Sequence, residues 1–191
     1  MYEKDVLHRR GQALEDEFFR RVDHKLGEEL RAKMDRDEAR IQLASATGFQ
    51  DEELLDHLID AGFSQASIAA LALVPAVFVA WADGNVTPAE RQVILHAALR
   101  RGVKQEPSAF AMLEDWLHVQ PSDLLWSLWT EYSRAVYQSV KPAFAAILQN
   151  EILRLATVVA EASGGTFGRG QISPAEKTIL DQIAAGLLVD D

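Results

Sequence analysis

Apolar residues fall at helical spacing along almost the whole chain. Leu14, Phe18, Val22, Leu26, Leu30 and Met34 recur every four residues within a charged stretch over 2–46. Steps of four drift around a 3.6-residue helix, and Gly11 and Gly27 weaken it, so the pattern predicts an amphipathic helical arm and not a clean heptad. Residues 51–61, DEELLDHLIDA, predict a short helix with an acidic first turn, stopped by Gly62. Residues 66–82 are 17 uncharged positions. That run falls short of the ~20 apolar residues of a membrane span, holds Pro75 and lacks basic flanks, so it predicts a buried central helix kinked at Pro75. Further helices are expected over 88–101 (ended by Gly102), 106–118, 121–140, 142–163 (capped by Gly164) and 174–188. In 121–140, Leu125, Leu128, Trp129, Tyr132 and Val136 form an aromatic stripe at helical spacing, which predicts core. No segment alternates with the two-residue period of a strand, and the expected fold class is all-α.

One phrase occurs twice. GNVTPAERQVIL over 84–95 and GQISPAEKTIL over 170–180 align Gly84, Val86, Thr87, Pro88, Ala89 and Glu90 with Gly170, Ile172, Ser173, Pro174, Ala175 and Glu176, 86 residues apart. Each copy specifies a helix start. Thr87 and Ser173 are N-caps, Pro88 and Pro174 fill the first helical position where no N–H is needed, and Glu90 and Glu176 stand where a capping box places its carboxylate. The repeat, at 82–101 and 168–188, predicts one compact helical domain of two related halves.

The first copy also admits a reading as chemistry. Asp83 through Glu90 match the second half of an EF-hand loop, D-G-x-V-x-x-x-E. The two earlier ligand positions are Val79 and Trp81, which supply no side-chain oxygen, so a conventional EF-hand is excluded. A divalent-cation half-site of Asp83 and Glu90, completed from elsewhere, stays open. In the second copy Arg169 replaces the Asp, reversing the charge.

Charge is unevenly spread. The net charge is −10, yet residues 1–46 hold 11 acidic and 10 basic side chains. The remaining 18 acidic and 9 basic side chains give 47–191 a charge of −9. An acidic body repels phosphate backbones, which argues against nucleic-acid binding. Without cysteine the chain has no disulfide, thiolate metal site or thiol nucleophile. MYEKDVLHRR has no apolar run after its charges and does not resemble a secretory signal, so a cytoplasmic, non-integral protein is expected.

Catalytic patterns are missing from the sequence. His8, His24, His57, His96 and His118 form no HExxH-like pair, and no GxSxG elbow occurs. His57, flanked by Asp56 and Asp60, reads as a local ion pair. The glycine-rich loop 164–170 precedes a helix start, so Gly168, Arg169 and Gly170 are candidate anion-binding residues. It lacks the Gly-Lys-Ser/Thr ending of a phosphate-binding loop, and a chain reversal is the simpler reading.

Ala82-Asp83-Gly84, Val86, Glu90 and Ile94, with the later GQISPAEKTILDQIAAGL, resemble the signature of the TerB-like superfamily, which includes the tellurite-resistance protein TerB. The resemblance covers roughly residues 50–188. It implies a compact all-helical, non-enzymatic domain associated with stress and metal-related resistance. Some members are proposed to bind divalent metal through acidic residues of the Asp-Gly…Glu motif. Asp83 and Glu90 carry over, with Glu176 a weaker match, and Arg169 departs from the pattern.

The sequence reading is therefore a charged amphipathic arm over 1–46 and a TerB-like helical domain over 47–191. The expected function is a non-catalytic interaction or scaffold module with a protein partner. A homodimer through the arm is one form of that reading. Weak divalent-cation binding at Asp83 and Glu90 is the alternative, and an enzyme or anion binder using the 164–170 loop is the third.

Overall fold

The computed structural model describes residues 2–162 and 172–186, with side chains from residue 20 onward except 23. Eight α-helices occur among the described residues, with no strand: α1 (Tyr2–Thr47), α2 (Glu52–Asp60), α3 (Val74–Ala80), α4 (Pro88–Arg100), α5 (Pro107–His118), α6 (Asp123–Ser139), α7 (Pro142–Ala162) and α8 (Pro174–Gly186). The fold is all-α. The Leu14 and Phe18 side chains, Gly164 and residues 187–188 lie outside the described residues.

The apolar run over 66–82 is not one kinked helix. A 3₁₀ segment, Ile68–Leu73, leads into α3, and Pro75 sits in the first turn of α3. Proline lacks the N–H that a continuous helix would need there and is tolerated at a helix start. The residue that was expected to bend a helix therefore begins one. Val74, Pro75, Ala76, Val77, Val79 and Ala80 are all buried. A helix that is apolar all round must be enclosed, and α3 lies against α4, α6, α7 and α8. Trp81, which ends α3, donates its indole N–H to the Trp116 carbonyl at 2.8 Å, tying α3 to α5.

Around this centre the stripe of α6 is core as its spacing predicts. Leu128 and Trp129 are buried, and Leu125, Tyr132 and Val136 pack against them. Phe78 of α3 meets the ring of Trp126, which in turn meets Trp129. Among the described residues one helix, α7, is long and apolar enough to cross a membrane by length and composition. Leu155, Ala156, Val159 and Ala160 of α7 are core residues, and α7 packs against α3, α4 and α8.

The C-terminal part of α1 joins the body. Leu43 is fully buried, and Arg36 and Arg40 reach α2. Arg36 pairs with Asp60 at 2.6 Å, and Arg40 binds Asp56 through Nη2 at 2.8 and 3.0 Å and through Nε at 3.0 Å. Further toward the N-terminus the apolar side chains are uncovered: Val22, Leu26, Leu30 and Met34 are all exposed, Leu26 at 62 %.

Candidate functional site

Both copies of the repeated phrase fold as capping boxes. Thr87 takes extended φ/ψ before α4 and accepts the Glu90 N–H at 3.3 Å. Glu90 Oε2 accepts the Thr87 N–H and hydroxyl, each at 2.7 Å. At α8, Ser173 Oγ accepts the Glu176 N–H at 3.2 Å and Glu176 Oε2 accepts the Ser173 N–H at 2.6 Å. Each box satisfies two backbone donors that a helix start leaves without partners.

These glutamates are buried to a degree that caps alone do not require. Glu90 is 1 % exposed and Glu176 3 %. Burial raises the Glu90 carboxyl above its ordinary value, the two Thr87 hydrogen bonds oppose that shift, and the charges of Asp83 and Glu176 add to it. The repeat thus brings the two cap carboxylates into electrostatic reach of each other, although they are 86 residues apart.

Asp83 has a different task. It is exposed, and its Oδ1 accepts the Asn85 N–H at 3.1 Å. That closes a tight turn through Gly84, whose φ of +89° is left-handed and suits glycine. Asp83 and Glu90 are each engaged locally, one in its turn and the other in its cap. No group of three or more His, Asp or Glu side chains placed to hold a metal ion occurs among the described residues. Gly168, Arg169 and Gly170 lie outside them.

His57 does not pair with its neighbours in sequence. Asp56 and Asp60 are taken by Arg40 and Arg36, and His57 Nδ1 instead meets Glu131 of α6 at 3.0 and 3.1 Å. The hydrogen bond to Glu131, then its charge, raises the imidazole pKa above the ordinary value. This pair lies in a cleft of about 500 Å³ with Asp60, Ser122, Leu124 and Leu128. Ser127, also on its wall, spends its hydroxyl on the Asp123 carbonyl. The cleft places this histidine–carboxylate pair on an apolar floor of Leu124, Leu125 and Leu128.

A second cavity, of about 220 Å³, had no sequence signal. The 3₁₀ segment, the end of α4, α6 and α7 line it, with Leu71, Trp129, Tyr132, Val136 and Ile152 as apolar walls and Ser133 and Glu151 among its polar ones. Tyr137 is 5 % exposed, and its hydroxyl has no hydrogen-bond partner among the described residues. Burial pushes its pKa up to about 12. Arg101, half-buried, also lines the cavity. Burial lowers its pKa, and the Glu151 charge opposes this.

No protein-family model matches this chain, and comparison with curated proteins and with solved structures returns no match.

Proposed function

We propose that this chain is a non-catalytic helical module that self-associates through α1, its all-helical body being of the TerB-like type that the Asp83–Glu90 signature resembles. The observation that supports the reading most is the uncovered apolar stripe of Val22, Leu26, Leu30 and Met34 on a helix whose C-terminal turns are anchored in the body. A Leu-sized side chain gains ~1.5–3 kcal/mol on burial, so four of them on one helix favour a partner surface.

A second copy of this chain is the occupant that the charges favour. The segment 1–46 is nearly neutral, with 11 acidic and 10 basic residues, whereas the rest carries −9. Two bodies of that charge repel, while two α1 helices meet without net repulsion and with charges of both signs beside the stripe. In this reading 46 helical residues give an element ~69 Å long, which keeps the acidic bodies apart. Association with stress or metal-related resistance rests on the TerB-like resemblance alone.

The test is sedimentation equilibrium of the full chain against Leu26→Glu/Leu30→Glu, with circular dichroism on both. A concentration-dependent dimer that the double substitution converts to a helical monomer supports the proposal. A wild-type monomer at every concentration overturns it.

A further inference from the structure

A helix on the outside of a domain needs one apolar face, and α4 carries two. Ile94, Ala97 and Ala98 are buried in the core. On a second face Pro88, Arg91, Leu95, His96 and Leu99 follow one another at steps of one to four residues. With Lys104 and Phe110 they line a groove of about 270 Å³. Leu99 is 50 % exposed. A single exposed leucine is ordinary on a protein surface, but Leu95 and Leu99, one turn apart and joined by Phe110 of α5, make a continuous apolar floor. From Pro88 to Leu99 the floor follows α4 for ~16 Å, or three helical turns.

The charged side chains that line this groove are cationic, Arg91 and Lys104, on a chain whose net charge is −10. Lys104 Nζ stands 5.8 Å from the centre of the Phe110 ring, which holds a cation beside the apolar floor. Arg91 is oriented by one hydrogen bond, donated by Nη2 to the Leu117 carbonyl. Neither cation, nor His96, has an ion pair among the described residues. Glu106, close to Lys104 in sequence, lines a separate cleft with Gln42 and Ser64. Unpaired cations along an apolar strip complement a ligand that is itself apolar on one side and acidic beside it. A long polyanion such as nucleic acid would have to run on past the groove over the acidic body, which repels it. A short acidic helix engages the groove alone, and three turns of floor match the i, i+4, i+7 anchors of helix-in-groove recognition.

We infer that the α4 groove docks an acidic amphipathic helix of a protein partner, its apolar side chains on Leu95, Leu99 and Phe110 and its carboxylates toward Arg91 and Lys104. This surface shares no residue with the α1 stripe, so the two proposals fail separately. The probe is a fluorescent helical peptide of about 15 residues, with Leu at i, i+4, i+7 and i+11 and Glu beside them. A second peptide has every Glu replaced by Gln. Fluorescence anisotropy with the full chain at low salt should show the acidic peptide binding about tenfold more tightly than the Gln peptide, and that preference should shrink as salt rises. Lys104→Glu should erase the preference, and Leu99→Ser should weaken both peptides about tenfold. Both positions are exposed, so the fold should survive, which circular dichroism checks. Leu124→Ser, in the cleft beside His57, should change neither affinity. No binding of the acidic peptide at about 1 mM overturns the inference, as do equal affinities for the two peptides or wild-type behaviour in both folded groove variants. A dimer lost in Leu99→Ser, or a single-stranded oligonucleotide displacing the peptide, would give the groove a different occupant and overturns it too.

Discussion

Removing the acceptor of the first capping box separates its structural role from any ligand role, because Glu90 serves two donors with one oxygen. In Glu90→Ala the Thr87 N–H and hydroxyl both lose the partner they hold at 2.7 Å. The N–H stands at a helix start where no backbone acceptor replaces it, and an unsatisfied buried donor costs ~1–3 kcal/mol. With the cavity left by a side chain 1 % exposed, the expected loss is about 2–4 kcal/mol. Glu90→Gln retains an acceptor oxygen and removes the buried charge. It gives up the favourable interaction of a carboxylate with the helix dipole, ~0.3–1 kcal/mol, and relieves the repulsion from Asp83 and Glu176. Its net cost should be under ~1 kcal/mol. Thr87→Ala should cost ~0.5–2 kcal/mol. The pH dependence gives a sharper check. The folded-state carboxyl titrates above the unfolded one, so between those two values the folded state binds more protons and wild-type stability falls as pH rises. Glu90→Gln lacks that dependence and should gain on wild type as pH rises through that window. Urea unfolding followed by circular dichroism, at several pH values from 4 to 7, reads both quantities. If Glu90→Gln instead loses ground to wild type as pH rises, the ionised carboxylate is stabilising and the burial argument is wrong.

Other consequences follow from the same packing. Glu90→Gln and Glu176→Gln should couple, the second gaining less in the background of the first, because the two charges repel; a double-mutant cycle measures this. The stability of Glu90→Gln relative to wild type should be the same with and without millimolar Ca²⁺ or Mg²⁺, and a metal-dependent gap would restore the half-site reading of Asp83 and Glu90. Leu43→Ala should destabilise the whole fold by about 2–5 kcal/mol in thermal unfolding, since Leu43 is fully buried; a loss confined to α1 would detach that helix from the body. His57 is raised by Glu131, so its stabilising contribution is complete below the unfolded pKa and fades as pH rises through the higher folded value. NMR titration should place His57 above an ordinary histidine, and Glu131→Gln should bring it down.

What the sequence disclosed was local. The two capping boxes were legible because each is written within four consecutive residues, Thr87 to Glu90 and Ser173 to Glu176, and needs no tertiary contact to form. The stripe of α6 was legible because one face of one helix carries it. The break before α3 was misplaced because a proline inside an apolar run is compatible with a kink or a helix start, and only the geometry of the 3₁₀ segment decides. Contacts between distant residues left no mark. His57 meets Glu131 across 74 positions, although Asp56 and Asp60 flank it in sequence. The Tyr137 cavity draws on four separate segments, and its polar residues sit in helices whose sequence reads only as amphipathic. The proximity of Glu90 to Glu176 was implied by the repeat but not stated by it, since a repeat does not say how its copies pack.

The most direct test of the central claim is a distance between chains. The protein has no cysteine, so single cysteines at Val22, Leu26, Leu30 and Met34 can each carry one spin label, with an exposed body position, Gln138, as control. Double electron–electron resonance on the full chain, with each labelled protein checked for dimer content, reports only inter-chain coupling. If α1 joins two copies, the four arm positions give narrow inter-chain distances that change regularly along the helix, while Gln138 gives a longer one. Background decay at every arm position would contradict self-association through α1.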